Sequence, residues 1–262
     1  VNTDDAWERW GAEDPYYGVL THPRFRASQL DDAAREEFFA SGRQHVQFVL
    51  DTIRHRLEPL YTPQRVLDFG CGVGRVLMPF AVCSQEAVGL DVSRSMLEEA
   101  RANIERAALQ NAELMLCDDS LSCLAGHFDL VHSYIVLQHI EVERGLALFE
   151  RLVGRVADGG FGAIHVAYAS ALHHSTRGRA PPSIAAPEAS VARRPWWRPG
   201  GVSAAAAPPA AAEVSDPPMQ MNAYPLNELG FVLQSSGVRR FHVEFTDHGG
   251  ALGAFFFFRK KD

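Results

Sequence analysis

The chain has no uninterrupted apolar run of about 18 residues, the length a membrane-spanning helix needs. Its first ten residues, VNTDDAWERW, lack the basic-then-apolar layout of a secretory leader, so a cytoplasmic protein without membrane partners is expected. Positive charge is also scarce: 25 Lys and Arg stand against 32 Asp and Glu, a formal net charge of −7. A surface built to displace counterions from polynucleotides needs the opposite balance, so nucleic acid is disfavoured as a partner. The four cysteines (Cys71, Cys83, Cys117, Cys123) form no CxxC pair and no zinc-ligand spacing, and reduced structural thiols are the default reading.

What is present is hydrophobic patterning of two kinds. Between Asp31 and Leu60 apolar residues recur at helical spacing, with Val46, Val49, Leu50, Ile53 and Leu57 on one face. Ahead of it, Trp7, Trp10, Tyr16, Tyr17 and Phe25 punctuate a polar stretch with Pro15 and Pro23, expected to be irregular but docked. Residues 1–60 are thus read as an N-terminal helical cap on a second unit, 61–262.

After Pro63 short apolar runs alternate with helical patterns, the signature of βαβ units in a parallel sheet covered on both faces. Strands are expected at Arg65–Phe69, Glu86–Leu90, Glu113–Cys117, Phe128–Ser133 and Phe161–Tyr168, the last entered through Gly159 and Gly160. Pro79 is tolerable only in a first helical turn, which places a helix start close to Gly74. Ser95 and Glu98 form a possible capping box for the helix through Met96, Leu97, Ala100 and Ile104. From about 170 to 218 regularity collapses, with nine of the fifteen prolines between Pro181 and Pro218, which reads as an irregular Pro/Ala-rich insertion. A helix at Pro225–Ser236 and two strands, Arg240–Thr246 and Ala251–Phe258, complete the pattern. The FFFF run at Phe255–Phe258 fits a strand buried on alternating faces.

The segment carrying chemistry is Val66–Arg75, VLDFGCGVGR: an apolar strand, the acidic Asp68, and Gly70, Gly72 and Gly74 at alternate positions before a helix. Such glycines let the backbone turn tightly and approach a ligand with no Cβ in the way. A nicotinamide-binding loop is the rival, but its G-x-G-x-x-G spacing does not usually carry an acid two positions earlier.

This segment resembles motif I of the class I S-adenosylmethionine-dependent methyltransferases, and the later motifs follow in order: Asp91 in GLDVS, Asp118 in MLCDDS, then FDLVHSYIVLQHI and VADGGFGAIHV. The resemblance is strong over about 60–168 and rests on layout alone over 224–258. It implies a Rossmann-like three-layer αβα sandwich with a seven-stranded, mostly parallel sheet and an antiparallel last strand. It further implies S-adenosylmethionine as cofactor, held by Asp68, Gly70, Cys71, Gly72, Gly74, Asp91, Val92, Met96, Asp118, Asp119 and Ser133. In the family the second acid accepts from the ribose hydroxyls and the third faces the adenine amino group. For Asp91 an N-cap, and for Asp118 a turn role, are the competing readings.

Transfer is an in-line displacement, so a base is needed only when the acceptor arrives protonated. His139 in VLQHI is a candidate base, with a structural histidine as its rival. Tyr16, Tyr17, Met219, Met221, Tyr224 and His248 are candidates for the acceptor pocket, although aromatic residues in a decorating segment more often anchor it. No N/D/S-P-P-Y/F tetrapeptide follows the fourth strand, which disfavours adenine and glutamine nitrogen as acceptors. His173 and His174 lack companions, and no metal is expected. The expected activity is methyl transfer to an O or N atom of a small molecule. A non-catalytic binding module and a protein methyltransferase are the alternatives.

Overall fold

The structure is a computed structural model describing residues 2–170 and 216–261. Most of the Pro/Ala-rich insertion, with His173, His174 and the arginines beyond them, lies outside the described residues. The N-terminal elements are α1 (Thr3–Glu13), α2 (Pro15–Val19), two 3-10 turns (Pro23–Phe25 and Ala27–Gln29) and α3 (Asp32–Arg56). Strands and helices then alternate: β1 (Arg65–Phe69), α4 (Leu77–Cys83), β2 (Glu86–Asp91), α5 (Arg94–Arg106), β3 (Ala112–Leu116) and β4 (Phe128–Ser133). A 3-10 turn (Leu137–His139), α6 (Val142–Arg155), β5 (Val156–Ser170), α7 (Leu226–Ser235), β6 (Arg240–Asp247) and β7 (Ala251–Arg259) follow.

The seven strands form one sheet in the order β3-β2-β1-β4-β5-β7-β6, in which β7 runs antiparallel to both neighbours. On one face Val49 and Ile53 of α3, Phe80 of α4 and Leu97 of α5 pack with Phe255 and Phe257. On the other, Phe149 and Leu152 of α6 and Leu229 and Leu233 of α7 pack with Phe256 and Phe258. The phenylalanine run thus divides between two cores because strand side chains alternate faces. The strand order reverses between β1 and β4, and the crevice at such a switch point is where open α/β sheets take ligands.

Several local expectations are corrected. The stretch before Asp31 is helical rather than irregular: the Asn2 side chain caps α1, and Pro15 sits in the first turn of α2, where its missing N–H costs nothing. Helix α4 begins at Leu77 rather than near Gly74, with turns filling the gap, and Pro79 lies within its first turn. The cap of α5 is Ser93, whose Oγ accepts from Met96 N–H at 3.1 Å, not Ser95. Ser95 is instead held by Glu8 of α1. Strand β5 begins at Val156, so Gly159, at φ 73°, lies inside an irregular strand and not before it.

Candidate functional site

Strand β1 ends in Asp68 and Phe69, and the chain then bends through Gly70, Gly72 and Gly74 at φ 74°, 52° and 86°. That left-handed region strains residues with a Cβ, which accounts for the alternating glycines. Leu90 of β2 receives the Gly70 and Cys71 N–H groups at 2.8 and 2.9 Å. At the end of β2, Asp91 accepts from Gly72 N–H at 2.8 Å and from Ser93 N–H at 2.9 Å. Burial pushes the Asp91 carboxyl up to about 6, against the pull of these N–H groups.

A cavity of about 1040 Å³ opens over this bend, and its walls come chiefly from α1, α2, α3, the carboxyl ends of β1, β2 and β4 with the turns after them, and the β6–β7 hairpin. Gly70, Cys71, Gly72, Asp91, Val92, Met96 and Cys117 form one end. Thr3, Asp4 and Trp7 of α1 and Gly18 and Val19 of α2 also border it. Helix α1 is tied down by Thr3 Oγ1 donating to the His139 carbonyl at 2.7 Å, and by Glu8 accepting from Ser93 and Ser95. Aromatic residues and histidines mark other walls: Gln44, His45 and Phe48 of α3, Tyr134, Phe245, His248 and Phe255.

The charged chemistry of the cavity is carried by Asp68, Arg75 and the histidines beside them. Asp68 is buried, with Oδ1 2.7 Å from His132 Nδ1 and Oδ2 without a hydrogen-bond partner. Arg75 is buried too; its Nη1 donates to Ser41 Oγ at 3.2 Å, its Nε lacks a partner, and among the described residues it makes no ion pair, though Asp68 acts on it from a distance. His132 Nε2 lies 2.9 Å from His45 Nε2. The His45 ring stacks on Tyr134 at 3.9 Å, and Tyr134 Oη lies 3.4 Å from His248 Nε2. Ile135, next in sequence, is a β-branched residue at φ 60°, a conformation that costs energy and recurs at functional sites.

Of the expected site residues, Asp68, Gly70, Cys71, Gly72, Asp91, Val92, Met96, His139, Met219, Met221 and His248 border this cavity. His139 has both ring nitrogens engaged: Nδ1 faces the Gln220 carbonyl at 2.8 Å and Nε2 faces the Gln138 amide at 3.3 Å. Burial pushes its pKa down to about 4. Other expected residues are placed elsewhere. Tyr16 is buried against α5, bonded to Glu99 and Asn103, and Tyr17 lies under the Arg26 guanidinium at 3.3 Å, so both anchor the cap and do not line the cavity. Tyr224 supports the cavity from behind, its hydroxyl bonded to the Leu137 and Ile140 carbonyls at 2.8 Å each. Asp118 is spent on its own turn, accepting from Ser120 and Ser122, which hold its carboxyl well below the usual range. Asp119 pairs with Arg144. Ser133 is buried with an unpartnered Oγ, and Gly74 serves the bend; neither borders the cavity.

Sequence reasoning passed over His45, Arg75, His132, Tyr134 and Trp7. Arg75 stood in the quoted segment, and its place directly after the last glycine was the available signal. His45 carried none, since a histidine beside Val46 in a helical pattern reads as solvated. Among the described residues no cluster of three or more His, Cys, Asp or Glu side chains is arranged to hold a metal ion. Nor is any described helix long and apolar enough to cross a membrane.

A Rossmann-like sheet with a glycine bend at its switch point and an acid at or next to the end of each of the first two strands is an arrangement that suits a nucleoside cofactor. Residues 66–160 match the family model described as a methyltransferase domain. Over 151 residues the chain is 35% identical to aklanonic acid methyltransferase of a Streptomyces species, spanning 54% of this chain and 64% of that protein. Over 143 residues it is 36% identical to trans-aconitate 2-methyltransferase of Pseudomonas paraeruginosa, spanning 52% and 46%. The chain therefore spans less than two thirds of these relatives. Among solved structures, magnesium protoporphyrin IX methyltransferase of Synechocystis with S-adenosylhomocysteine superposes with a TM-score of 0.62 at 16% identity, covering 99% of this chain and all of that one. An N-methyltransferase of Bradyrhizobium japonicum gives 0.58 at 15% identity, covering both chains fully. Residues 66–160 thus resemble a methyltransferase domain, and the solved structures share the fold of the whole chain.

Proposed function

We propose that this protein transfers a methyl group from S-adenosylmethionine to an oxygen or nitrogen of a small molecule, without nucleic acid as a partner. One observation carries the cofactor reading. Beside the glycine bend a buried carboxylate oxygen, Asp68 Oδ2, and a buried guanidinium, Arg75, both border one cavity without a partner for the oxygen or an acid for the guanidinium. Unpaired buried charges are costly, and this pair complements the ammonium and carboxylate of an amino-acid tail. Asp91 would hold the ribose hydroxyls, since a carboxylate has about four acceptor sites and two are taken. Val92, Cys117 and Ile140 would surround the adenine. Bound there, the cofactor supplies an electrophilic methyl group.

The small-molecule acceptor is supported by the volume and by the cap. Ligand pockets run from about 300 to 1,000 Å³, so a cavity of about 1040 Å³ has room for a nucleoside and a second small molecule together. Helices α1 to α3 supply wall residues, which favours an acceptor that can be enclosed. The two relatives named for aklanonic acid and trans-aconitate support the same class. A cytoplasmic location belongs to this proposal and agrees with four free thiols.

Calorimetry with S-adenosylhomocysteine, followed by transfer of labelled methyl into a metabolite panel and a peptide pool, tests it. Binding with label in a metabolite is expected. Label only in peptide would make the protein a protein methyltransferase, binding without transfer would make it a sensor, and no binding would end the proposal.

A further inference from the structure

The histidines behind the glycine bend are connected in a way that fixes their protons. An ionised Asp68 accepts only, so His132 donates to it through Nδ1–H across 2.7 Å. A neutral His132 then has a bare lone pair at Nε2, and that atom lies 2.9 Å from His45 Nε2. Only a proton on His45 Nε2 makes this contact a hydrogen bond. His45 Nδ1 is consequently left as a lone pair. Among the described residues His45 makes no other hydrogen bond through its ring nitrogens, and it borders the cavity.

From this chain, Asp68 to His132 to His45, we infer that His45 is the general base of the reaction and that the acceptor is a planar phenolic or enolic hydroxyl. The inference rests on the cofactor reading above. His45 stacks on Tyr134 with centroids 3.9 Å and planes 28° apart, and Tyr134 on Phe255 at 5.6 Å and 25°; all three border the cavity, and this aromatic side of it suits a planar acceptor. A hydroxyl of this kind arrives protonated at neutral pH, whereas a carboxylic acid arrives ionised and needs no base. The acceptor oxygen bonds to the methyl carbon as that carbon's bond to sulfur breaks, the sulfur keeping the electron pair. The proton leaving the oxygen goes to His45 Nδ1. Positive charge passes from the sulfonium to the imidazole, and the net charge of the site is unchanged. His132 and Asp68 act as positioning residues that hold the tautomer and face the new charge.

The groups facing His45 are His132 from β4, Tyr134 just after it, Arg75 after the bend, His165 from β5 and His248 between β6 and β7. Burial first, then His132, Arg75, His165 and His248, push its pKa well below the ordinary histidine value, so it is neutral, with its lone pair open, before the acceptor arrives. His139 lacks this readiness because its two nitrogens are occupied.

Nitrogen-detected NMR of histidine-labelled protein reads the tautomer without any turnover. The expected spectrum shows His45 protonated at Nε2 and bare at Nδ1 near neutral pH; a proton on Nδ1 overturns the inference. The second experiment compares wild type with His45→Gln, whose side-chain amide can still donate to His132 but takes no proton. S-adenosylhomocysteine affinity should stay within about threefold. Label transfer to planar phenols such as naphthol should fall about 10²- to 10⁴-fold, the usual worth of a general base, with part of the rate regained at high pH as the phenol ionises itself. His132→Asn keeps the bond to Asp68, frees His45 to change tautomer, and should show both the altered spectrum and a lower rate. Equal rates for His45→Gln and wild type, or a wild type that methylates naphthoic acid and no phenol, overturn the inference while leaving the methyltransferase reading intact. Loss of cofactor binding by the wild type removes both.

Discussion

Asp91 and Gly72 are joined by a hydrogen bond of 2.8 Å from the backbone N–H of the bend to a carboxylate at the end of the neighbouring strand. That contact shapes the cofactor end of the cavity and gives it a pH dependence. Burial raises the Asp91 pKa from 3.8 to about 6, so between those values the folded chain holds a proton that the unfolded chain has released, and this group's contribution to stability declines as pH rises through the window. Ribose hydroxyls donate best to the ionised form. Affinity for S-adenosylhomocysteine should therefore fall as pH drops through about 6, by about tenfold per pH unit at the limit. Asp91→Ala should weaken binding at neutral pH by about 1 to 3 kcal/mol. Calorimetry across this range checks both, and an Asp91→Asn variant should lose the pH dependence.

The parts of this site legible in the sequence are those fixed by local backbone demands. Arg65–Phe69 and Phe128–Ser133 could be delimited because parallel strands covered on both faces read as continuous apolar runs. Gly70, Gly72 and Gly74 could be read because their positive φ values favour glycine at three alternate positions. The acceptor end was illegible because long-range contacts assemble it: His45 and His132 are 87 residues apart, and Tyr134 and His248 are 114 apart. Nothing near Ser95 announced that Glu8 would dock there and leave the capping of α5 to Ser93. Tyr16 illustrates the limit from the other side, since its aromatic character suggested a pocket while its hydroxyl serves α5.

Arg144 of α6 clasps Asp4 and Asp119 together, with contacts of 2.8 to 2.9 Å to the first and 2.6 to 2.9 Å to the second. Asp4 borders the cavity from α1, so this ion pair helps to latch the cap over the cofactor end. The pair is partly exposed, and its loss should cost global stability no more than about 1 kcal/mol. Arg144→Ala should therefore melt almost normally, yet release S-adenosylhomocysteine several-fold faster. Stopped-flow dissociation and hydrogen exchange over residues 3–13 measure the two effects, and unchanged release would remove the latch.

Tyr224→Phe should have the reverse profile. Its hydroxyl is bonded to the carbonyls of Leu137 and Ile140, which flank the His139 turn, and the ring is fully buried. Removing the hydroxyl takes that donor from the buried Ile140 carbonyl, while Leu137 keeps the Ile140 N–H at 2.8 Å, at a cost of about 1 to 3 kcal/mol. Thermal unfolding should register that loss, and calorimetry should find cofactor affinity changed far less.

The assignment of Asp68 and Arg75 to the amino-acid tail can be separated from every other contribution by comparing two ligands. Methylthioadenosine shares the nucleoside of S-adenosylhomocysteine but lacks the ammonium and carboxylate. Arg75→Gln should weaken S-adenosylhomocysteine binding by about 1.5 to 3 kcal/mol, the range for a charged hydrogen bond, and leave methylthioadenosine nearly unaffected. Asp68→Asn should show the same selectivity and also disturb His132, because Oδ1 is committed to that ring at 2.7 Å. If both ligands lose equal affinity in either variant, the charge shapes the bend and does not read the tail. Neutralising Arg75 should also stabilise the ligand-free chain, since among the described residues this buried cation makes no ion pair and only the more distant Asp68 offsets its burial.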